Sequence, residues 1–455
     1  MAANREDTLR KAGLILLLLL AMPAQGLSAP RNYTIYDGVT LIDGTGAAPK
    51  PGMAIVVADG RIAAIIPASR WRGVPGPSDK VDVVDMYGRY AIPGLIDSHV
   101  HLATDPDPPY ERALLRRDIF SGVTTVRDMA GDTRVLADLA RATKLHKLDG
   151  PDIYYAALMA GPQFFHDPRT IASAQGAVPG AVPWMQAITN ETDIPLAVAR
   201  AQGTGATALK IYADLPAPLV AGITAEAHRQ HMLVWAHAAV FPASPRDGVD
   251  AGVDVVSHAC MLAYQASAAM PPQYHNRAPV DEDRFKDGTA ILDPLFADME
   301  AHGTILDATV YVYEMMWKVP SAAPKPYCTL ALAEKIAAAA HRAGVEISTG
   351  TDADTAWDKP LPSLFDEIEL LVSKAGFSPL EAIRSATLIG ARTVGQDKQI
   401  GTLEAGKRAD IVFLAKNPML GIANLRSVEL TVKDGQEFRR AQYKPITKDE
   451  AKAEQ

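Results

Sequence analysis

Apolar and polar positions along this chain follow two different rhythms. From Tyr33 to Pro67, short apolar runs are broken by Asp37-Gly38, Asp43-Gly44 and Asp59-Gly60. The run from Met53 to Ile62 predicts a hairpin, because Asp-Gly accepts the positive φ that a two-residue turn demands. A similar patch returns near the other end. There Ala409–Leu414 and Val428–Lys433 read as strands, the second followed by Asp434-Gly435. Two β patches around a long middle predict that both ends of the chain meet in one small β unit.

The middle changes rhythm. Short β-branched or apolar runs alternate with helical stretches, the signature of repeated βα units. The strand candidates are Leu95–His101, Val123–Arg127, Ile153–Ala157, Ala208–Ile211, Leu233–His237, Asp254–His258, Ile305–Val310 and Ile347–Gly350. Helices are expected at Tyr110–Ser121 and Leu330–Ala343. Another opens at Ser378-Pro-Leu-Glu, where Ser378 caps, Pro379 suits the first turn and Glu381 bonds back. Eight such units predict an α/β fold, a TIM-like (β/α)8 barrel over residues 93–398. Residues 30–92 and 399–445 supply a small β-sandwich, and 446–455 a charged tail, expected to fray from about Lys444. Two segments, Gly161–Thr192 and Met261–Leu292, are too long for plain connectors. Their Phe164, Phe165, Trp184 and Tyr274 suggest loops that enclose a substrate rather than solvated chain.

The first 29 residues stand outside that scheme. Arg5, Arg10 and Lys11 precede an apolar run, Ala12–Met22, and then the small residues Ala24, Gly26, Ser28 and Ala29. This is the order of a secretory signal peptide cut between Ala24 and Ala29. Its 11 apolar residues are too few for roughly 30 Å of hydrocarbon at about 1.5 Å per residue. The expected protein is therefore exported, periplasmic or secreted, with no membrane span in the mature chain. Composition adds little: 48% hydrophobic and 22% charged residues suit a globular protein with a large core. The net charge of −8 spreads 45 basic among 53 acidic residues, without a basic stripe, which argues against nucleic acid as a partner. The only cysteines, Cys260 and Cys328, exclude a cysteine-built zinc site. The sequence does not decide whether they pair.

Distinctive polar residues fall at the ends of the expected strands. In Pro93-Gly-Leu-Ile-Asp97-Ser-His99-Val-His101, the two histidines are two apart, so both imidazoles point the same way. The fifth and sixth strands run apolar until they end in His237 and His258, and the eighth ends in Asp352. A carboxylate placed there is costly without a cation. Lys210 closes the fourth strand. Desolvation favours its neutral amine, which can add carbon dioxide to form an anionic carbamate able to bridge two metals. The plainer reading pairs Lys210 with Asp214 or another carboxylate.

Taken in order, His-x-His, Lys, His, His and Asp on strands one, four, five, six and eight resemble the amidohydrolase superfamily with a binuclear metal centre. Val39-Thr-Leu-Ile-Asp-Gly-Thr-Gly, Gly122-Val-Thr-Thr-Val-Arg-Asp128 and Gly401-Thr-Leu-Glu-Ala-Gly-Lys-Arg-Ala-Asp410 extend the likeness, chiefly to the imidazolonepropionase-like and metal-dependent prolidase branch. The resemblance implies that His99, His101 and Asp352 hold one divalent metal and His237 and His258 the other. Carboxylated Lys210 would bridge them, with zinc the first choice. It also implies that Asp352 is catalytic, moving a proton from the attacking water to the leaving nitrogen.

The activity so implied is hydrolysis of a C–N bond in a small-molecule substrate such as a dipeptide or N-acyl amino acid. A one-metal deaminase, a cyclic amide or lactone hydrolase, and a non-catalytic scaffold are the alternatives. Deamination would want a Glu beside His237 or His258, and none is there. Arg169 is either a partner for a substrate carboxylate or a surface charge. Tyr212, His166, Tyr311 and Tyr313 are candidates for substrate contacts. A homo-oligomer is left open.

Overall fold

The computed structural model describes residues 31–275, 277–318, 327–353 and 355–451. Residues 1–30, which include the expected signal peptide, and residues 452–455 lie outside them.

Eight parallel strands form the barrel: Leu95–Val100, Val123–Asp128, Asp152–Ala160, Ala208–Ile211, Leu233–His237, Val255–Ser257, Ile305–Asp307 and Ile347–Ser348. Each pairs with the next. The ring closes where Ser98 N donates to Thr349 O at 2.8 Å. Ala208, Trp235, Val255 and Ala156 are fully buried inside the strands, as expected where a parallel sheet is covered on both faces. Helices cap as the sequence predicts. Ser378 accepts from Glu381 N, and Glu381 accepts from Ser378 N at 2.8 Å.

The ends of the chain do meet. Asn32–Leu41 pairs with Lys50–Ala58, which turns at Asp59 (φ 52°) and Gly60 (φ 74°) into Arg61–Pro67. Tyr90–Pro93 pairs antiparallel with Ile411–Leu414 from the other end, followed outward by Val428–Lys433 and Gln436–Arg439. The eight-stranded sheet folds over on itself as a small sandwich. Tyr36 and Phe413 pack at 4.6 Å between centroids across the inside, and the Tyr36 hydroxyl reaches Glu437.

Two expectations change, at the seventh strand and the tail, and one expected loop proves to carry secondary structure of its own. The seventh strand stops at Asp307, not Val310, because Thr309 takes φ 46° and a helix begins at Val310–Lys318. The segment 161–192 is an ordered excursion. It holds a helix, Pro168–Ala174, and a short strand, Met185–Ala187, that pairs with the third barrel strand. The start of the expected fraying tail is docked as far as Ala451. Ile446 and Ala451 bury against Tyr110 and Ala113, and Glu450 receives two hydrogen bonds from Arg116. Cys260 and Cys328 are joined as a disulfide, with Cα atoms 6.3 Å apart.

Candidate metal centre and active site

The strand ends converge on one cluster. His99 Nε2 and His101 Nε2 lie 3.3 and 3.1 Å from Asp352 Oδ1, and His258 Nδ1 lies 3.6 Å from Asp352 Oδ2. The imidazoles form a chain, His101 to His99 at 5.3 Å between centroids, His99 to His258 at 5.1 Å, and His258 to His237 at 4.9 Å. His99, His101 and Asp352 can each turn one ligand atom to a common point, all within 4.8 Å of one another. Period-two geometry explains His99 and His101. For His258 and Asp352 the backbone itself bends, with φ of 79° and 47° just past their strands. Such conformations are costly for non-glycine residues and persist only where the surroundings fix them.

Electrostatics suit a cation at this point. Burial keeps His99, His237 and His258 neutral, with His258 brought down to about 3. Burial alone would raise the pKa of Asp352, but His99, His101 and His258 hold it well below the usual carboxylate range. Neutral imidazoles and an ionised carboxylate are the forms that bind metal.

Lys210 is completely buried, and its Nζ has no hydrogen-bond partner. It does not pair with Asp214, whose Oδ1 accepts from Tyr274 N instead. Burial, aided by Arg127, brings its pKa down to about 7. His237 Nδ1 is likewise buried without a partner. Orphaned donors and acceptors of this kind are rare in a folded interior unless something else satisfies them. The donor set therefore fits divalent metal ions.

Asp307, which sequence reasoning passed over, anchors the floor. Its Oδ2 meets His99 Nδ1 at 2.6 Å, Arg127 Nη2 at 2.8 Å and Ser257 Oγ at 3.0 Å. Holding the far nitrogen of a ligating imidazole fixes its tautomer and orientation. Thr309 does the same for His258, at 2.9 Å to Nδ1. The signal for Asp307 was present as an aspartate ending the apolar run Ile305-Leu306.

The expected substrate contacts divide. Tyr212 is buried between Phe164, at 4.4 Å, and His237, at 3.9 Å between centroids, and lines the cavity. Arg169 donates to the Tyr212 hydroxyl at 3.0 Å, but its charge is matched by Asp167 at 2.7 Å. Tyr313 lines the cavity and bonds to the Tyr327 hydroxyl. His166 does not reach it. It sits exposed on a tight turn, with Nδ1 3.1 Å from the Gln163 carbonyl. Tyr311 does not reach it either, since helical residues two apart are about 200° around the axis. Tyr313 faces inward, and Tyr311 faces Asp366, Lys318 and Arg426.

Two chambers open on the cluster. One, of about 660 Å³, runs past His237, His258 and Tyr274 to Tyr327. The other, of about 400 Å³, is walled by Met129, Leu158, Phe164, Trp184 and Met185. They share His101, Arg169, Tyr212 and Asp352.

A family model described as "Amidohydrolase family" matches residues 90–438. An imidazolonepropionase of Micrococcus luteus is 26% identical over 83% of this chain and 91% of its own length. Among solved structures, a Xaa-Pro dipeptidase with bound methionine superposes with a TM-score of 0.69 at 22% identity, covering 90% of this chain and all of that one. A putative prolidase from Bifidobacterium longum gives 0.66 at 25% identity, with 93% of this chain and 98% of that one covered.

Proposed function

The chain belongs to the amidohydrolase family, and we propose that it cleaves the C–N bond of dipeptides or N-acyl amino acids at the cluster of His99, His101, Lys210, His237, His258 and Asp352. The similar fold of the Xaa-Pro dipeptidase and of the Bifidobacterium longum prolidase supports substrates of this kind.

One observation carries the reading. Lys210 presents a fully buried, unpartnered amine among neutral imidazoles and an ionised carboxylate. A neutral amine adds carbon dioxide, releasing one proton and leaving a carbamate anion. As that anion, Lys210 would bridge two ions, one held by His99, His101 and Asp352 and the other by His237 and His258. Zinc is the first choice for mixed nitrogen and oxygen donors. Metal ions bound there would supply a water that ionises near neutral pH and would polarise the scissile carbonyl.

The chain's own residues do the rest. Asp352, held ionised, takes a proton from the attacking water and delivers it to the leaving nitrogen. Asp307 and Thr309 keep His99 and His258 in fixed tautomers. The walls of the two chambers hold the groups on either side of the scissile bond. Lys210 also argues against a one-metal deaminase, which has no use for a bridging anion. The order of charge and apolarity in residues 1–29 supports export to the periplasm or medium.

The test is turnover of a panel of dipeptides and N-acyl amino acids by protein purified without chelator. Amine release that stops on chelation and returns with added zinc is expected. Release of ammonia from amino-heterocycles, with none of the panel cleaved, would overturn the reading.

A further inference from the structure

Arg277 stands in the same cavity as the histidines, yet nothing in the site so far uses it. Its guanidinium carbon lies 4.2 Å from the centre of the Tyr274 ring and 4.3 Å from that of Tyr327, with Phe241 at 5.7 Å. Nη1 donates to the Tyr274 carbonyl at 2.8 Å, while Nε is buried with no hydrogen-bond partner. Among the described residues Arg277 forms no ion pair, whereas Arg169, the other guanidinium on the cavity wall, is matched by Asp167. The Tyr264 hydroxyl is a neutral hydrogen-bond partner of the guanidinium and not a counter-ion, since burial pushes the Tyr264 and Tyr327 hydroxyls up.

A partly desolvated cation is costly unless an anion meets it. Aromatic rings cover its faces and hold its plane by cation–π attraction, which leaves the edge to make in-plane hydrogen bonds. The planar fork of arginine matches a carboxylate. Position agrees with this. Tyr274 stacks on His237 at 5.5 Å and 27°, so one ring separates the guanidinium from the imidazole.

We propose that Arg277, in its cage of Tyr274, Tyr327 and Phe241, anchors a substrate carboxylate a few bonds from the scissile nitrogen. The substrates are then amides of amino acids with the carboxylate free. The acyl side lies in the chamber of Met129, Phe164 and Trp184, which has the apolar walls to take an aryl or alkyl group. This rests on the hydrolytic reading above, and it moves the anchoring role from Arg169 to Arg277.

Calorimetry and turnover with N-benzoyl derivatives of glycine, alanine and phenylalanine, each as free acid and as carboxamide, test it. The wild-type protein should bind the acids at least ~10-fold more tightly than the carboxamides, the scale of a charge-assisted hydrogen-bonded pair. Arg277→Gln should shrink that preference to within about twofold, and Arg277→Lys, which keeps the charge but loses the fork, should fall between. Equal binding of acids and carboxamides by the wild type would overturn the anchor without any variant. A preference that survives in Arg277→Gln, with metal content unchanged, would also overturn it. An acid preference with no hydrolysis of any of the six upholds the anchor and counts against the hydrolytic reading. Hydrolysis with no acid preference does the reverse.

Discussion

Asp307 Oδ2 is met from three sides, by His99, Arg127 and Ser257, in a place with no solvent contact. Replacing it by Asn removes the charge facing Arg127 and His99 and puts an NH2 donor in place of one carboxylate oxygen, so the three donors can no longer all be met. Loss of such a partner typically costs about 10–100-fold in metal affinity or activity, and zinc titration of Asp307→Asn should show a drop of that order. Wild-type affinity in this variant would remove Asp307 from the site's support. Lys210→Ala should lose most activity and about one metal equivalent, with short carboxylic acids restoring part of the rate. Full activity with both metals retained would contradict the bridging role. At this scale much of the site was legible, because a polar residue closing an apolar strand is conspicuous. His99, His101, Lys210, His237, His258 and Asp352 all announce themselves that way. Arg277 did not, since an arginine in a Pro-rich loop looks like surface charge until Tyr274 and Tyr327 are seen around it. His166 and Tyr311 looked equally eligible, and only the local backbone turns them away.

Whole elements were less legible at their ends than in their existence. Leu233–His237 and Ala208–Ile211 fall where the apolar runs predict. The seventh strand does not run on to Val310, because Glu367, reaching in from the helix Leu364–Ser373, accepts from Val310 N and Tyr311 N and starts a helix there. That contact is long-range and invisible to periodicity. Glu367 thereby supports the turn at Thr309 that holds His258. Glu367→Ala should lower kcat and weaken metal retention together, and wild-type values for both would show the turn holds without it. The disulfide ties the segment after the sixth strand to the residue following Tyr327, closing a 68-residue separation. Its removal in Cys260→Ser with Cys328→Ser should cost about 2–4 kcal/mol, read as a lower Tm than the wild type under non-reducing conditions. An unchanged Tm would mean that the link contributes nothing to stability.

For the molecule as a whole, the sandwich is joined to the barrel by a buried charge cluster that no pattern forecast. Asp152, at the start of the third strand, pairs with Lys433 at 2.8 Å and with Arg408, and Arg408 also pairs with Asp410 and Asp434. Burial alone would raise the pKa of Asp152, but Arg408, Lys433 and Lys144 hold it well below the usual carboxylate range. Its folded pKa is thus lower than its unfolded one. The stability it contributes is present above about pH 4 and is lost as pH falls below that. Asp410 in the same cluster moves the opposite way, burial raising it, so acid tests the pair through Asp152. Asp152→Asn leaves Lys433 buried without a carboxylate and should cost about 3–5 kcal/mol, flattening the fall in Tm below about pH 4. A variant with an unchanged acid profile would contradict this. The architecture itself was readable from the change of rhythm along the chain, since strand–helix alternation and the two flanking β patches determine what can pair with what. The central claim is the binuclear centre, and metal content per chain by mass spectrometry, on protein purified without added metal or chelator, tests it most directly. Close to two equivalents is the predicted result. One equivalent that does not rise on adding zinc would contradict it.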